Sequence, residues 1–257
     1  MSEDILSLVP PPADHRLAYG TDLNQFGDLR LPKDRKPAGV VMNIHGGFWR
    51  AKYDLLHAGH LCAALTARGC ATWNIEYRRV GNSGGGWPGT FEDISNACRF
   101  LRRVASRYSL DLSRFVVMGH SAGAQLALCL AAHERSVRGV VSLAGVVDLR
   151  RAFDLHLSND AVVEFLGGKP GEVVDHYQEA DPMRFEIPAH CRQILIHGSA
   201  DDTVPPAFSR EYVTEKKKTR ETVEILEIAK ADHYDLIDPR SAAWPQIEAQ
   251  ALRLLSS

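Results

Sequence analysis

Two stretches of this chain place a serine between glycines: Gly81-Asn82-Ser83-Gly84-Gly85 and Gly119-His120-Ser121-Ala122-Gly123. A serine hydroxyl becomes a nucleophile when a base takes its proton, and a sharp strand-to-helix turn with small neighbours is what presents it. Ser121 has that setting. It follows the apolar run Arg114–Met118 and precedes an alanine- and leucine-rich stretch to His133. Ser83 is followed by more glycine and then Trp87-Pro88, so it reads as a loop residue. The same cluster spells G-x-G-x-x-G from Gly84 to Gly89, but it comes after a later strand and carries Trp87-Pro88 inside it, which argues against a nucleotide site.

A serine nucleophile needs a histidine, and the histidine needs a carboxylate to orient it. Of eleven histidines, His233 stands apart, on a loop between the last expected strand and the C-terminal helix. His133 falls late in the helix after Ser121, and His57, His60, His156 and His176 lie in helical or insertion segments, where exposure is expected. His57 and His60, with Cys62 nearby, lack a third ligand at sensible spacing, so no metal site is expected. For the carboxylate, Asp201 and Asp202 both leave the carboxyl end of the short strand Ile194–Ile196, the edge where catalytic groups collect in parallel sheets. Spacing does not choose between them.

Developing negative charge on a carbonyl oxygen calls for unpaired main-chain N–H groups aimed at one point. The segment His45-Gly46-Gly47-Phe48-Trp49 directly follows an apolar strand, and its glycines permit close approach to a ligand. The N–H groups of Gly47 and Phe48, with that of Ala122, are the expected oxyanion donors. Trp49 and Trp87, with Phe48, are expected to form an aromatic wall, and His120 to lie on the substrate side.

These residues must be positioned by a mostly parallel sheet. Strands are expected at His15–Gly20, Gly27–Leu31, Gly39–Ile44, Ala71–Tyr77, Arg114–Met118, Val137–Leu143, Gln193–Ile196 and Thr222–Ile228. Several are continuous apolar runs, as suits strands covered on both faces. Helices are expected near Leu55–Arg68, Phe91–Tyr108, Ala122–His133, Ala207–Lys218 and Ala242–Leu255, with Thr90 and Asp93 as a capping pair for the second. The alternation predicts an α/β fold, an eight-stranded sheet flanked by helices in one domain over residues 1–257, with the first two strands as an antiparallel edge. The stretch Asp148–Pro188 breaks the rhythm and is expected to be a small cap or lid.

The 257 residues carry 30 basic and 32 acidic side chains, a balance that argues against nucleic-acid or anionic-membrane partners. Lys216-Lys217-Lys218 reads as a solvated helix face. The five cysteines lack any C-x-x-C spacing and read as small core residues in a reducing compartment. With no apolar run long enough to span a bilayer and an acidic, proline-bearing start, a cytoplasmic protein is expected, with a homodimer open.

The motifs together resemble the α/β-hydrolase superfamily, most closely the branch of kynurenine formamidases and hormone-sensitive-lipase-like esterases. The resemblance rests on His45–Trp49, Gly119–Gly123, His197–Pro205 and Asp232–Ile237, with Tyr77-Arg78, Trp87-Pro88 and Glu92-Asp93 between them. It implies the α/β-hydrolase fold, a Ser121–Asp201–His233 triad, oxyanion donors at Gly47 and Phe48, and cleavage of a carboxylic ester or small arylformamide without a metal or organic cofactor. The lipase-like esterases carry a third glycine where Phe48 stands, and the few residues before the first strand leave little for a large N-terminal cap. A small-peptide or amide hydrolase, and a hydrolase-fold binding protein without catalysis, are the other functional readings.

Overall fold

The computed structural model describes residues 2–33 and 36–256. Its strands are β1 (His15–Ala18), β2 (Phe26–Arg30), β3 (Val40–Ile44), β4 (Ala71–Ile75), β5 (Phe115–His120), β6 (Gly139–Leu143), β7 (Arg192–Gly198) and β8 (Val223–Ile228). They form an eight-stranded sheet in the order β1-β2-β4-β3-β5-β6-β7-β8. β1 pairs antiparallel with β2, and β2 antiparallel with β4; every later pairing is parallel. The chain runs from β3 to β4 on one side and then returns across β3 to β5. Ligand sites of open parallel sheets lie at such a reversal, outside the carboxyl ends of the strands. Here that crevice receives the turn after β3 and the turn after β5.

The helices are α1 (Gly59–Ala67), α2 (Gly89–Val104), α3 (Ala122–His133), α4 (Leu149–Asp154), α5 (Ala161–Leu166), α6 (Val174–Ala180), α7 (Ala207–Lys216) and α8 (Trp244–Leu255). Side chains alternate across each strand. Val40 and Met42 of β3, with Phe115 and Val117 of β5, pack with Ile94 and Leu101 of α2 and with Leu126 and Leu130 of α3. Val41, Val116 and Met118 face the other way, onto Leu61 and Leu65 of α1 and Ile247 and Leu254 of α8. Both faces of the central strands are therefore buried, which is why these strands are mostly apolar. Cys62, Cys70, Cys98, Cys129 and Cys191 are all buried and unbridged.

Several local expectations change. The helix expected from Leu55 opens as a 3-10 turn over Leu55–Ala58, capped by Asp54, whose Oδ1 accepts from the Leu56 N–H at 2.9 Å. Thr90 and Asp93 do not cap α2, which begins after Pro88. Thr90 Oγ donates to the Arg78 carbonyl at 2.6 Å, and Asp93 receives Arg78 Nε and Nη2 at 2.8 and 2.7 Å, so the pair anchors the loop after β4 instead. Lys216 is buried, not solvated: its ammonium reaches the Phe185 carbonyl and lies 3.4 Å from Glu221, leaving Lys217 and Lys218 in solvent. The stretch between β6 and β7 holds α4, α5 and α6. A further 3-10 turn spans Ser2–Leu6.

One buried polar chain reaches toward the site. Asn43 Nδ2 donates to Asn74 Oδ1 at 2.9 Å, and Asn74 Nδ2 donates to the Leu55 carbonyl at 2.9 Å. It ties β3 and β4 to the 3-10 turn. Replacing Asn74→Leu strands the Asn43 amide and the Leu55 carbonyl in the interior, at about 1–3 kcal/mol for each group left unpaired. Urea unfolding should show the midpoint fall accordingly; an unchanged midpoint would mean that water or a rearrangement meets both groups.

Candidate active site

β5 ends on a turn that an ordinary side chain resists. Ser121 has φ 55° and ψ −119°, outside the allowed regions for a residue with a Cβ. Its N–H donates to the Leu143 carbonyl at 2.8 Å, and its carbonyl accepts from Ala124 N and Val146 N at 3.1 and 3.3 Å. Those bonds impose the strain. The flanking glycines make room: a Cβ on Gly119 would lie 2.2 Å from the Gly123 carbonyl oxygen, and one on Gly123 would lie 2.1 Å from the Ile44 oxygen. The first turn of α3 is thus pressed against the end of β3, where Ile44 registers with Gly119.

That contact brings the turn after β3 beside the serine. A Cβ on Gly46 would come within 3.1 Å of Ser121 Cβ. Phe48 and Trp49 follow with φ 49° and 58°, and the Arg50 N–H closes the turn on the Gly47 carbonyl at 3.0 Å. His45 secures the base of the turn, its Nδ1 2.7 Å from the Gly46 oxygen and its Nε2 2.9 Å from Glu76 Oε1. Tyr77 stacks on the His45 ring at 4.5 Å and its hydroxyl donates to the His45 carbonyl. Glu76 is buried, which alone would raise its carboxyl. The charge and hydrogen bond of His45, with Arg79, reverse that and hold it low. No described residue accepts from the N–H of Gly47, Phe48 or Ala122.

Asp201 follows β7 and faces His233, whose Nδ1 donates to Asp201 Oδ2 at 2.7 Å. Asp202 is exposed and accepts from Thr203 Oγ1 at 3.4 Å. Asp201 Oδ1 accepts from Thr203 N and Val204 N at 3.0 and 2.8 Å, and His197 Nε2 stands 3.3 Å from Oδ2. Burial would raise the Asp201 carboxyl, but the hydrogen bonds from His197, His233 and Val204 prevail and hold it well below the usual carboxylate range. Gly198 lets the His233 loop approach: a Cβ there would sit 2.2 Å from the Ala231 carbonyl oxygen. With Nδ1 committed to Asp201, His233 keeps Nε2 for chemistry.

Ser121 and His233 line one cavity of about 320 Å3, together with Gly47 and Phe48. His120 lines it too. Its Nε2 donates to the His233 carbonyl at 3.0 Å, so it props the loop bearing His233. Burial first, then the neighbouring His233 and His57, push His120 well below the ordinary histidine value, and it stays neutral. Trp49 and Trp87 are not among the cavity-lining residues. The left-handed turn directs Trp49 inward, where it stacks flat on Phe165 at 4.5 Å and Nε1 donates to Gln125 at 3.0 Å. Trp87 stacks on Phe91 at 5.3 Å and donates to Glu179. Both brace the fold around α5.

The cavity also takes in Leu6, Tyr53, His57 and Ser158, which lie outside the motifs, and Thr203 and Tyr234, which lie within them. His57 corrects the expectation of exposure. The capped turn directs it inward, and burial with the nearby His45 pushes its imidazole down to about 3. Ile5, wholly buried, anchors the N-terminal turn that brings Leu6 to the site.

The BD-FAE family model matches residues 28–215, well over half of the chain. The chain belongs to the BD-FAE family. The match takes in Gly47, Phe48, Ser121 and Asp201 and ends before His233. Among relatives of this BD-FAE chain, Esterase LipC of Mycobacterium tuberculosis is 27% identical over 87% of the chain and 60% of its own length. Kynurenine formamidase avaC of Aspergillus versicolor is 30% identical over 46% of the chain and 47% of its own length. The chain therefore spans about half to three fifths of these two relatives. A truncated carbohydrate esterase from gut microbiota superposes with a TM-score of 0.82 at 21% identity, covering 96% of this chain and 99% of that one. The fold is that of the α/β-hydrolases. Among the described residues, no helix is long and apolar enough to cross a membrane.

Asp201→Asn should leave a folded protein that has lost turnover by about 10³–10⁴, because the wrong His233 tautomer is favoured. A carboxyl held low in the fold stabilises it above its unfolded value near 3.9 and loses that contribution as pH falls through the folded value. The melting-temperature advantage of wild type over Asp201→Asn should be largest near neutrality and shrink in acid; an advantage that grew in acid would contradict the pairing.

Proposed function

We propose that this BD-FAE chain is a serine hydrolase of small carboxylic esters, acting through Ser121, His233 and Asp201. The observation that carries the reading is the buried 2.7 Å His233–Asp201 pair, facing the same cavity as Ser121 on its strained turn. His233 Nε2 takes the Ser121 hydroxyl proton as Oγ bonds to the carbonyl carbon. The carbonyl oxygen, now negative, lies against the N–H groups of Gly47, Phe48 and Ala122. The tetrahedral adduct collapses, the carbon–oxygen bond to the alcohol breaks, and the alcohol leaves with the proton from His233. Water then attacks the acyl-serine, gives its proton to His233, and releases the acid with Ser121 restored. Removing one oxyanion donor costs on the order of 10²–10³ in kcat.

A cavity of about 320 Å3 is at the small end of ligand pockets, which favours short acyl or compact aryl groups. The partial likeness to a kynurenine formamidase supports a second substrate, an arylformamide. Formyl is the smallest acyl group and an anilide is an activated amide, so the same steps serve with an aniline as the leaving group.

The test is kcat/KM for p-nitrophenyl acetate, butyrate and decanoate beside N-formylkynurenine, with Ser121→Ala as control. Acetate and butyrate should exceed decanoate by about tenfold or more, as a methylene run too long for its pocket is rejected at a few kcal/mol. Preference for the formamide would assign the second substrate. Wild-type turnover in Ser121→Ala would refute the mechanism. Leu6→Ala should raise the decanoate rate several-fold and leave acetate unchanged; equal rates for decanoate would mean that Leu6 does not set the limit.

A further inference from the structure

The backbone around the cavity is strained in two further places. Phe48 and Trp49 form one. The other is the loop before α5, where His156, Ser158, Asn159 and Asp160 have φ of 52°, 50°, 54° and 56°. Left-handed conformations cost roughly 1–2 kcal/mol for a residue with a Cβ, less for Asn and Asp, and they persist only where the surroundings over-determine them. Phe48 and Ser158, one from each run, both line the cavity.

Arg50 joins the two runs. The Arg50 N–H closes the Gly47–Arg50 turn at 3.0 Å, and the Arg50 carbonyl accepts from Tyr53 N at 3.2 Å. Its guanidinium then crosses to the other loop. Nε donates to Glu164 Oε2 on α5 at 2.7 Å, Nη1 to Ser158 Oγ at 3.0 Å, and Nη2 to the Asn159 carbonyl at 3.2 Å. The other side-chain pair in the loop, His156 with Asp160, lies on the exposed side and touches neither the turn nor the cavity.

We propose that Arg50 is a positioning residue for the hydrolytic reaction: its fork holds the oxyanion turn and the Ser158 loop at a fixed separation across the cavity. This rests on the ester-hydrolase reading above. The Arg50 and Glu164 side chains are 22% and 45% exposed, and ion pairs with that much solvent contribute little to stability. Its effect is therefore on geometry, and the rate responds before the melting temperature does. Lysine does not replace it, because its single ammonium nitrogen lacks the spread of the guanidinium, whose three nitrogens each reach a different acceptor.

The experiment compares wild type, Arg50→Lys, Arg50→Ala, Glu164→Gln and Ser121→Ala in the whole chain, with p-nitrophenyl butyrate as substrate. Arg50→Lys and Arg50→Ala should lose kcat by about 10–10²-fold, the scale of a small misplacement of catalytic groups, with KM and melting temperature little changed. Glu164→Gln, which keeps an acceptor oxygen, should lose less. Added guanidinium ion should restore part of the Arg50→Ala rate and none of the Arg50→Lys rate. Wild-type kcat in both Arg50 variants, or a rate loss that only follows a fall in melting temperature, would overturn the inference while Ser121→Ala, still inactive, upheld the mechanism. Turnover surviving in Ser121→Ala would instead bring down the mechanism and the role of Arg50 with it.

Discussion

The site depends on main chain meeting main chain more closely than any Cβ allows. Gly123 lies against the carbonyls of Ile44 and His45, Gly119 against Gly123, and Gly198 against Ala231. These contacts bring three strand ends, β3, β5 and β7, onto one crevice, and each delivers a different part of the candidate site. The register of β3 with β5 sets the first contact, and the continuous apolar faces of those strands set the register, because a slip would push buried side chains against the wrong layer. Core packing and catalytic geometry are thus one constraint, seen at two levels.

Charge is handled by the same economy of partners. Asp201 and Glu76 are both buried carboxylates, and burial alone would neutralise them. Each is held ionised by several partners at once: His233 and two main-chain N–H groups for Asp201, with His197 Nε2 3.3 Å away, and His45, Arg79 and the N–H groups of Leu55 and Tyr77 for Glu76. One carboxylate orients His233 and the other fixes the turn that carries Gly47 and Phe48. Around them His120 and His57 are kept neutral by burial, so the cavity is lined by imidazoles that do not compete with His233 for a proton.

The alternation of strands and helices was legible in the sequence because the buried strands are short, largely apolar runs and the crossover helices between them are longer segments rich in helix formers. Ser121 and His233 were legible for a related reason: a serine between two forced glycines, and a histidine on a loop after the last strand, leave local traces. Choosing Asp201 over Asp202 from residues alone was not possible, since neighbouring aspartates on a turn differ only in where the turn directs them. Trp49 was misplaced for the same reason. An aromatic beside the oxyanion glycines suggests a ligand wall, but its left-handed backbone turns it onto Phe165. Leu6, His57 and Ser158 left no local trace, because each reaches the cavity through packing with segments distant in the chain. Lys216 reads as solvent-facing in a lysine run until Glu221 and Phe185 are seen to enclose it.

Covalent labelling tests the proposed role of Ser121 without reference to any natural substrate. Intact-mass and peptide mass spectrometry after treatment with a p-nitrophenyl phosphonate should show one adduct, on the peptide containing Ser121, and none in Ser121→Ala. An adduct on Ser83, or an unlabelled protein that still hydrolyses p-nitrophenyl butyrate, would contradict a mechanism centred on the turn between β5 and α3.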